Sequence, residues 1–489
     1  MSLRCRPRVA ALGAVALAVL GTSASAVPVP VLPLPVPLAG DCLPTGPVQR
    51  YVVLFASGTS PADAAAEIAD ACGTTVDYHP AIGVAVASAA DPSFGSDIGA
   101  DRAYSAGGEG LAPGALPVPD PVVSAPARAD VHTRGTTARD VVAADRTAEQ
   151  WDMALIRARA ASEVERGDPD VVVGVLDSGV DPDHPDLVDA LDRSRSASCL
   201  SGRADPAPWA WAPSGTTHGT HVAGTIAAAD DGRGITGVAP GVRIASVRVV
   251  DDDGYIYPEY AVCGFMWAAE QGMRVTNSSF FVDPWLFTCA DAPGQAVAHE
   301  AVRRAVSWAT RAGVLNVAAV GNEGADLANP VRDDRSPDNA RRPQPRPVDD
   351  GCDVLPAELP GVVAVSAVGA ERVRSGYSSY GRGVVDVAAP GGDVAQDPEV
   401  SSSGCVLSTV PGGYAYACGT SMATPHAAGV AALLASTRPR ADPAELANLL
   451  TRTADPLPCP PRDDAPACTG DGSAFYGRGL VDALTAVTR

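Results

Sequence analysis

The stretch Val171-Val172-Val173-Gly174-Val175-Leu176-Asp177-Ser178-Gly179-Val180 decides the fold class. Its first six residues run apolar without alternation, as a strand buried on both faces requires. Residues 314–320 and 362–368 read the same way, and helical segments alternate with such strands from Trp151 to the end. The expected architecture is therefore α/β, a doubly wound, mostly parallel sheet flanked by helices. Sheets of this kind handle ligands outside the carboxyl ends of their strands, and Asp177 stands at one such end. An isolated Asp in that position more often makes a turn or caps a helix.

Working outward, the 489 residues allow two to four domains at roughly 100–200 residues each. Acidic residues number 57 against 36 basic ones, a net charge of −21, and every basic residue is Arg. So acidic a surface repels phosphate backbones and anionic lipid, which excludes nucleic acid and membrane surfaces as partners. It also leaves carboxylates to spare for calcium.

The N-terminus reads as an address. Arg4, Arg6 and Arg8 precede an apolar run over residues 9–20, and Ala24-Ser25-Ala26 follows. That is a secretory signal peptide over residues 1–26, with a run too short for the ~20 residues that span a bilayer. Residues 27–48 are Pro-rich and expected to lie extended. Residues 49–94 read as a small α/β unit. It has a strand near 51–55, a helix opened by Ser60-Pro61-x-Asp63 and stopped by Gly73, and a second strand near 82–87. Residues 95–148 read as a linker, and 149–489 as the main domain. Within that domain, Asp326 to Asp350 is dense in Arg, Pro and Asp and is expected to be a solvated loop.

Cysteine use fits export. Beyond Cys5, Cys42 and Cys72, eight cysteines follow from Cys199 onward, an even number that suggests bridges in an oxidising compartment. Cys405–Cys418 and Cys459–Cys468 pair by proximity. Cys199, Cys263, Cys289 and Cys352 allow three connectivities, among which the sequence does not choose.

Two further segments join Asp177. One is His218-Gly219-Thr220-His221-Val222-Ala223-Gly224, whose small residues let a helix sit close against a neighbour. Its histidines lack the spacing and the glutamate of a zinc helix, and His221 reads as a packed residue. The other is Gly419-Thr420-Ser421-Met422-Ala423-Thr424-Pro425-His426, which puts Ser421 at a helix entrance, where free N–H groups face outward. A serine hydroxyl needs an adjacent base that is itself oriented by a third group. Asp177, His218 and Ser421 supply all three, in the chain order Asp, His, Ser.

With these motifs in place, residues 150–489 resemble the subtilisin-like serine proteases (subtilases), down to Tyr476-Gly477-x-Gly479-x-Val481-Asp482-Ala483. The resemblance implies a secreted, monomeric endopeptidase that acts on peptides or proteins through an acyl-enzyme. Ser421 would be nucleophile, His218 base and Asp177 its orienter, with activity falling in acid as His218 is protonated. Val317-Ala318-Ala319-Val320-Gly321-Asn322-Glu323-Gly324 resembles the segment whose Asn donates to the oxyanion, here Asn322. Ser279, Phe280, Phe281, Ala319 and Gly321 would bind substrate. The early α/β unit resembles the family's ferredoxin-like propeptide, an inhibitor removed by the enzyme itself somewhere in the linker. No cofactor or catalytic metal is required, and structural calcium is common in the family, though Asp251-Asp252-Asp253-Gly254 lacks a known calcium spacing. One departure concerns specificity: bulky Phe281 stands where the family usually has glycine.

Two rivals are weaker. An α/β-hydrolase esterase needs its Asp and His after the serine, and too little chain follows Ser421. A silent binding protein on the same fold would have less reason to keep Asp177, His218, Ser421 and Asn322 together.

Overall fold

A computed structural model describes residues 42, 46–109, 144–396, 403–459, 468 and 474–489. The expected signal peptide, most of the Pro-rich segment and residues 110–143 of the expected linker lie outside them. Contacts cluster residues 43–489 into one unit.

The main sheet has seven strands: β5 (Val172–Asp177), β6 (Ala197–Ser198), β7 (Arg243–Arg248), β8 (Val275–Ser278), β9 (Leu315–Ala319), β10 (Val362–Val368) and β11 (Val387–Pro390). Their spatial order is β11-β10-β9-β8-β5-β7-β6, and every neighbouring pair is parallel. β5 and β10 are buried at every position, which is why their sequences do not alternate. The chain leaves β5 toward β6 and β7, then crosses back to lay β8 on β5's other side and continues away. That reversal opens a crevice at the carboxyl ends of β5 and β8.

The N-terminal unit is a second sheet, β1 (Gln49–Leu54), β2 (Thr74–His79), β3 (Val84–Ala89) and β4 (Ala103–Tyr104), in the order β2-β3-β1-β4, with helices Pro61–Asp70 and Phe94–Ile98. This is the ferredoxin-like arrangement. Alternation along β1 sorts its two faces: Val53 and Phe55 pack with Ile68, Phe94 and Ile98, while Val52 packs with Tyr260, Met266 and Ala301 of the main domain. The first helix starts as its sequence says, with Ser60 accepting the Asp63 N–H at 3.1 Å. It ends differently. The left-handed residue is Cys72 (φ 65°), and Gly73 is needed because a Cβ there would sit 2.3 Å from the Phe94 ring.

Two expectations need correction. The linker does not begin at residue 95, because the chain stays packed through β4 and Ala106, which is 1% exposed. There Trp285 Nε1 donates to the Tyr104 hydroxyl at 2.8 Å, and Asn339 Nδ2 donates to the Ala106 carbonyl at 2.9 Å. The stretch from Asp326 to Asp350 is a solvated loop only in part, exposed over residues 341–345 but anchored inward elsewhere. Arg332–Asp333 pairs with Arg346–Pro347 in a hairpin, and Asp333, Ser336 and Asn339 are fully buried. One pair of charges is drawn inward: Asp333 takes Arg346 at 3.1 Å, and Arg346 lies over the Trp285 ring at 4.5 Å.

All eight cysteines from Cys199 onward are bridged, as Cys199–Cys263, Cys289–Cys352, Cys405–Cys418 and Cys459–Cys468. Among the described residues, no helix is long and apolar enough to cross a membrane.

Glu259 opens helix Pro258–Glu270 beneath the N-terminal unit and is 4% exposed. Burial pushes its carboxyl up to about 7, with Arg50 only partly opposing. A carboxyl raised in the folded state favours the neutral form, so the stability it contributes is complete below its ordinary value near 4.5 and is lost as pH rises through about 7. Glu259→Gln is therefore expected to raise Tm by a few degrees at pH 9 and to leave it unchanged at pH 4. Equal melting curves at both pH values would refute the assignment.

Candidate active site

Asp177 ends β5 and is 1% exposed. His218 opens helix His218–Ala227, and its Nδ1 lies 2.8 and 2.9 Å from the two Asp177 oxygens. Nδ1–H therefore donates to the carboxylate, which leaves Nε2 as the acceptor and potential base. The helix can start this close to β5 only because residue 219 is glycine: a Cβ there would fall 2.4 Å from the Gly179 carbonyl oxygen and 3.1 Å from Asp177 Oδ1. Ser178 Oγ meanwhile accepts the Gly219 N–H at 3.1 Å. His221, one turn on, bonds the Val406 and Ala415 carbonyls through Nε2, and burial pushes its imidazole down to about 3. It is a packed residue.

Ser421 is the second residue of helix Thr420–Thr437 and is 4% exposed. Its hydroxyl donates to the Ser279 carbonyl at 3.1 Å, and Ser279 Oγ donates to the Ser421 carbonyl at 2.9 Å. Pro425 explains the second bond. It lies four residues beyond Ser421 and has no N–H, so the Ser421 carbonyl lacks its helical donor and takes one from the end of β8. The start of the helix is thereby pinned over the crevice between β5 and β8.

Asn322 follows β9. Its Oδ1 accepts both the Thr420 N–H and the Thr420 hydroxyl, each at 2.9 Å. A backbone N–H can only donate, so the amide orientation is fixed and Nδ2 is the group left to serve a ligand. Thr420 was not singled out in the sequence; its neighbour Ser421 drew the attention.

The five residues assigned to substrate divide. Ser279 touches Ser421. Ala319 is buried at the end of β9, and Gly321 adopts φ 95°, with the Glu323 carboxylate 2.6 Å from where a Cβ would stand. Phe280 packs into the cluster containing Tyr260 and Val297, and Phe281 into another containing Phe287 and Val320. Both rings are core residues that diverge from the end of β8.

Among the described residues, no group of three or more His, Cys, Asp or Glu side chains could hold a metal ion. The acidic run at 251–254 is engaged internally, Asp251 accepting the Asp253 and Tyr255 N–H groups and Asp252 pairing with Arg248.

Comparison with known proteins bears on this geometry. The subtilase family model matches residues 168–477. Subtilisin NAT of Bacillus subtilis subsp. natto is 32% identical over 317 residues, which cover 65% of this chain and 65% of that relative's own length. Subtilisin of Bacillus pumilus is 33% identical over 318 residues, 65% of this chain and 90% of its own. Among solved structures, the epidermin leader peptide processing serine protease of Staphylococcus aureus aligns over 90% of this chain and 98% of its own, with a TM-score of 0.65 at 20% identity, a likeness of fold. This chain belongs to the subtilase family.

Proposed function

We propose that the protein is a secreted serine endopeptidase, made as a zymogen that processes itself and working as a monomer. One observation carries the reading: a buried carboxylate holds the His218 imidazole by Nδ1 at the same sheet crevice over which Ser421 opens a helix. Ser421 Oγ attacks the peptide carbonyl while His218 Nε2 takes its proton. The imidazolium so formed is stabilised by Asp177, which orients it and keeps its negative charge. The same proton then passes to the leaving amine, and water hydrolyses the acyl-enzyme. Asn322 Nδ2 and the Ser421 N–H receive the oxyanion, helped by the positive end of helix Thr420–Thr437.

No cofactor takes part in the chemistry, and any calcium would be structural. The ferredoxin-like unit acts as propeptide and inhibitor. Its docking supports that reading: Arg304 of helix Gln295–Arg311 gathers the Phe55, Ile82 and Gly83 carbonyls at 3.1–3.3 Å, and the chain runs on through Ala106.

Hydrolysis of a fluorogenic peptide, blocked by a serine-directed reagent that labels Ser421, tests the reading; a soluble, folded protein that cleaves nothing and takes no label would refute it. Asn322→Ala is expected to lower kcat by about 10²–10³, the size subtilisin itself shows for such a donor, with little change in KM. A change confined to KM would move Asn322 from the oxyanion to ground-state binding.

A further inference from the structure

Beside Ser421 and Asn322 sits a charged pair that the reaction does not use. Glu323 directly follows Asn322, and Arg335 NH1 lies 2.5 Å from its Oε1. The same guanidinium lies 5.6 Å from the centre of the Phe281 ring, two residues beyond Ser279. Arg335 is held by a built turn: fully buried Asp333 accepts the Arg335 and Ser336 N–H groups at 3.1 and 3.0 Å and pairs with Arg346 behind them. The two strand ends that flank Ser421, one after β8 and one after β9, are thus bridged by an aromatic ring and an ion pair. Both charged side chains keep a face to solvent, 25% exposed for Arg335 and 15% for Glu323.

We propose that Arg335 determines charge specificity at the substrate residue that supplies the attacked carbonyl. The inference rests on Ser421 as nucleophile and Asn322 as oxyanion donor. If a carbonyl oxygen sits at Asn322 Nδ2, the side chain on the adjoining Cα is the one nearest residues 321–323 and 279–281. Glu323 alone would draw Lys or Arg there. Arg335 offsets that carboxylate, so the site accepts uncharged side chains and disfavours basic ones.

The test uses the processed enzyme and peptide anilides differing only in that residue: Leu, Arg or Glu. Arg335→Met keeps an apolar stem on the Phe281 ring and removes one positive charge. Partial exposure screens the charge, so the expected change is about tenfold, a rise in kcat/KM for Arg relative to Leu. Adding Glu323→Gln should erase the gain, and 1 M salt should shrink it. Glu323→Gln alone should raise the Glu-to-Leu ratio instead, which keeps the test open if Arg335→Met folds poorly. Unchanged ratios in both single variants, or a gain for Arg that survives Glu323→Gln, would overturn the proposal. A parent enzyme inert toward all three peptides and unlabelled by a serine reagent would overturn the protease reading beneath it.

Discussion

Ser421→Ala is expected to lower kcat on the order of 10⁶-fold, the size subtilisin itself shows for loss of its serine, and to leave the ferredoxin-like unit covalently attached. The first effect follows from the division of labour at the crevice. Asp177 and His218 can make a base, but without the hydroxyl there is nothing to activate except water. The residual rate then comes from the oxyanion donors and substrate binding alone. The second effect separates self-processing from processing by another protease. Stability should barely change, because the Ser421 hydroxyl makes one bond, to the Ser279 carbonyl, and the reciprocal bond from Ser279 Oγ to the Ser421 carbonyl survives. Intact mass of the purified variant reads the outcome. A mature-sized product from Ser421→Ala, or hydrolysis within tenfold of the parent, would remove Ser421 from the chemistry.

What the sequence discloses here depends on how locally each feature is encoded. The buried strands were legible because a two-sided burial leaves an unbroken apolar run, as in β5 and β10. The candidate site could be proposed from sequence because each segment carries its own signature, while the crevice at the strand ends is set by strand order, which no local pattern states. Cys405–Cys418 and Cys459–Cys468 were legible because their closed loops are short; the crossing of Cys199 to Cys263 and Cys289 to Cys352 depends on tertiary placement. Strand β2 went unread because Thr74–His79 is polar, half-buried and at a sheet edge. The stretch from Asp326 to Asp350 was legible only in its exposed part. Its charge density suggests solvent, but Asp333 and Arg346 cancel each other inside the protein, and composition does not record which charges meet.

The same blindness hid Asp152, whose replacement by Ala is expected to destabilise the protein by about 3–5 kcal/mol. Asp152 and His426 are both wholly buried, with Asp152 Oδ2 and His426 Nε2 3.0 Å apart. His426 Nδ1 donates to the Met422 carbonyl at 2.8 Å, so Nε2 faces Asp152 and one proton lies between them. Without Asp152, that buried nitrogen loses its hydrogen-bond partner. The pair ties the first stretch of the main domain to the helix that carries Ser421. Flanking residues share the work: Gln150 bonds both the N–H and the carbonyl of Thr236 at 2.9 Å, and Trp151 Nε1 donates to the Cys405 carbonyl at 2.9 Å. Asp152→Ala should therefore lower Tm by roughly 5 °C, while Asp152→Asn, which keeps a polar partner for Nε2, should lose less. A double variant that also replaces His426 should be less unstable than the two single losses added together, because the second change removes the group the first left stranded. Strict additivity, or a Tm within about 2 °C of the parent for Asp152→Ala, would mean that the helix beneath Ser421 is held by its apolar contacts alone.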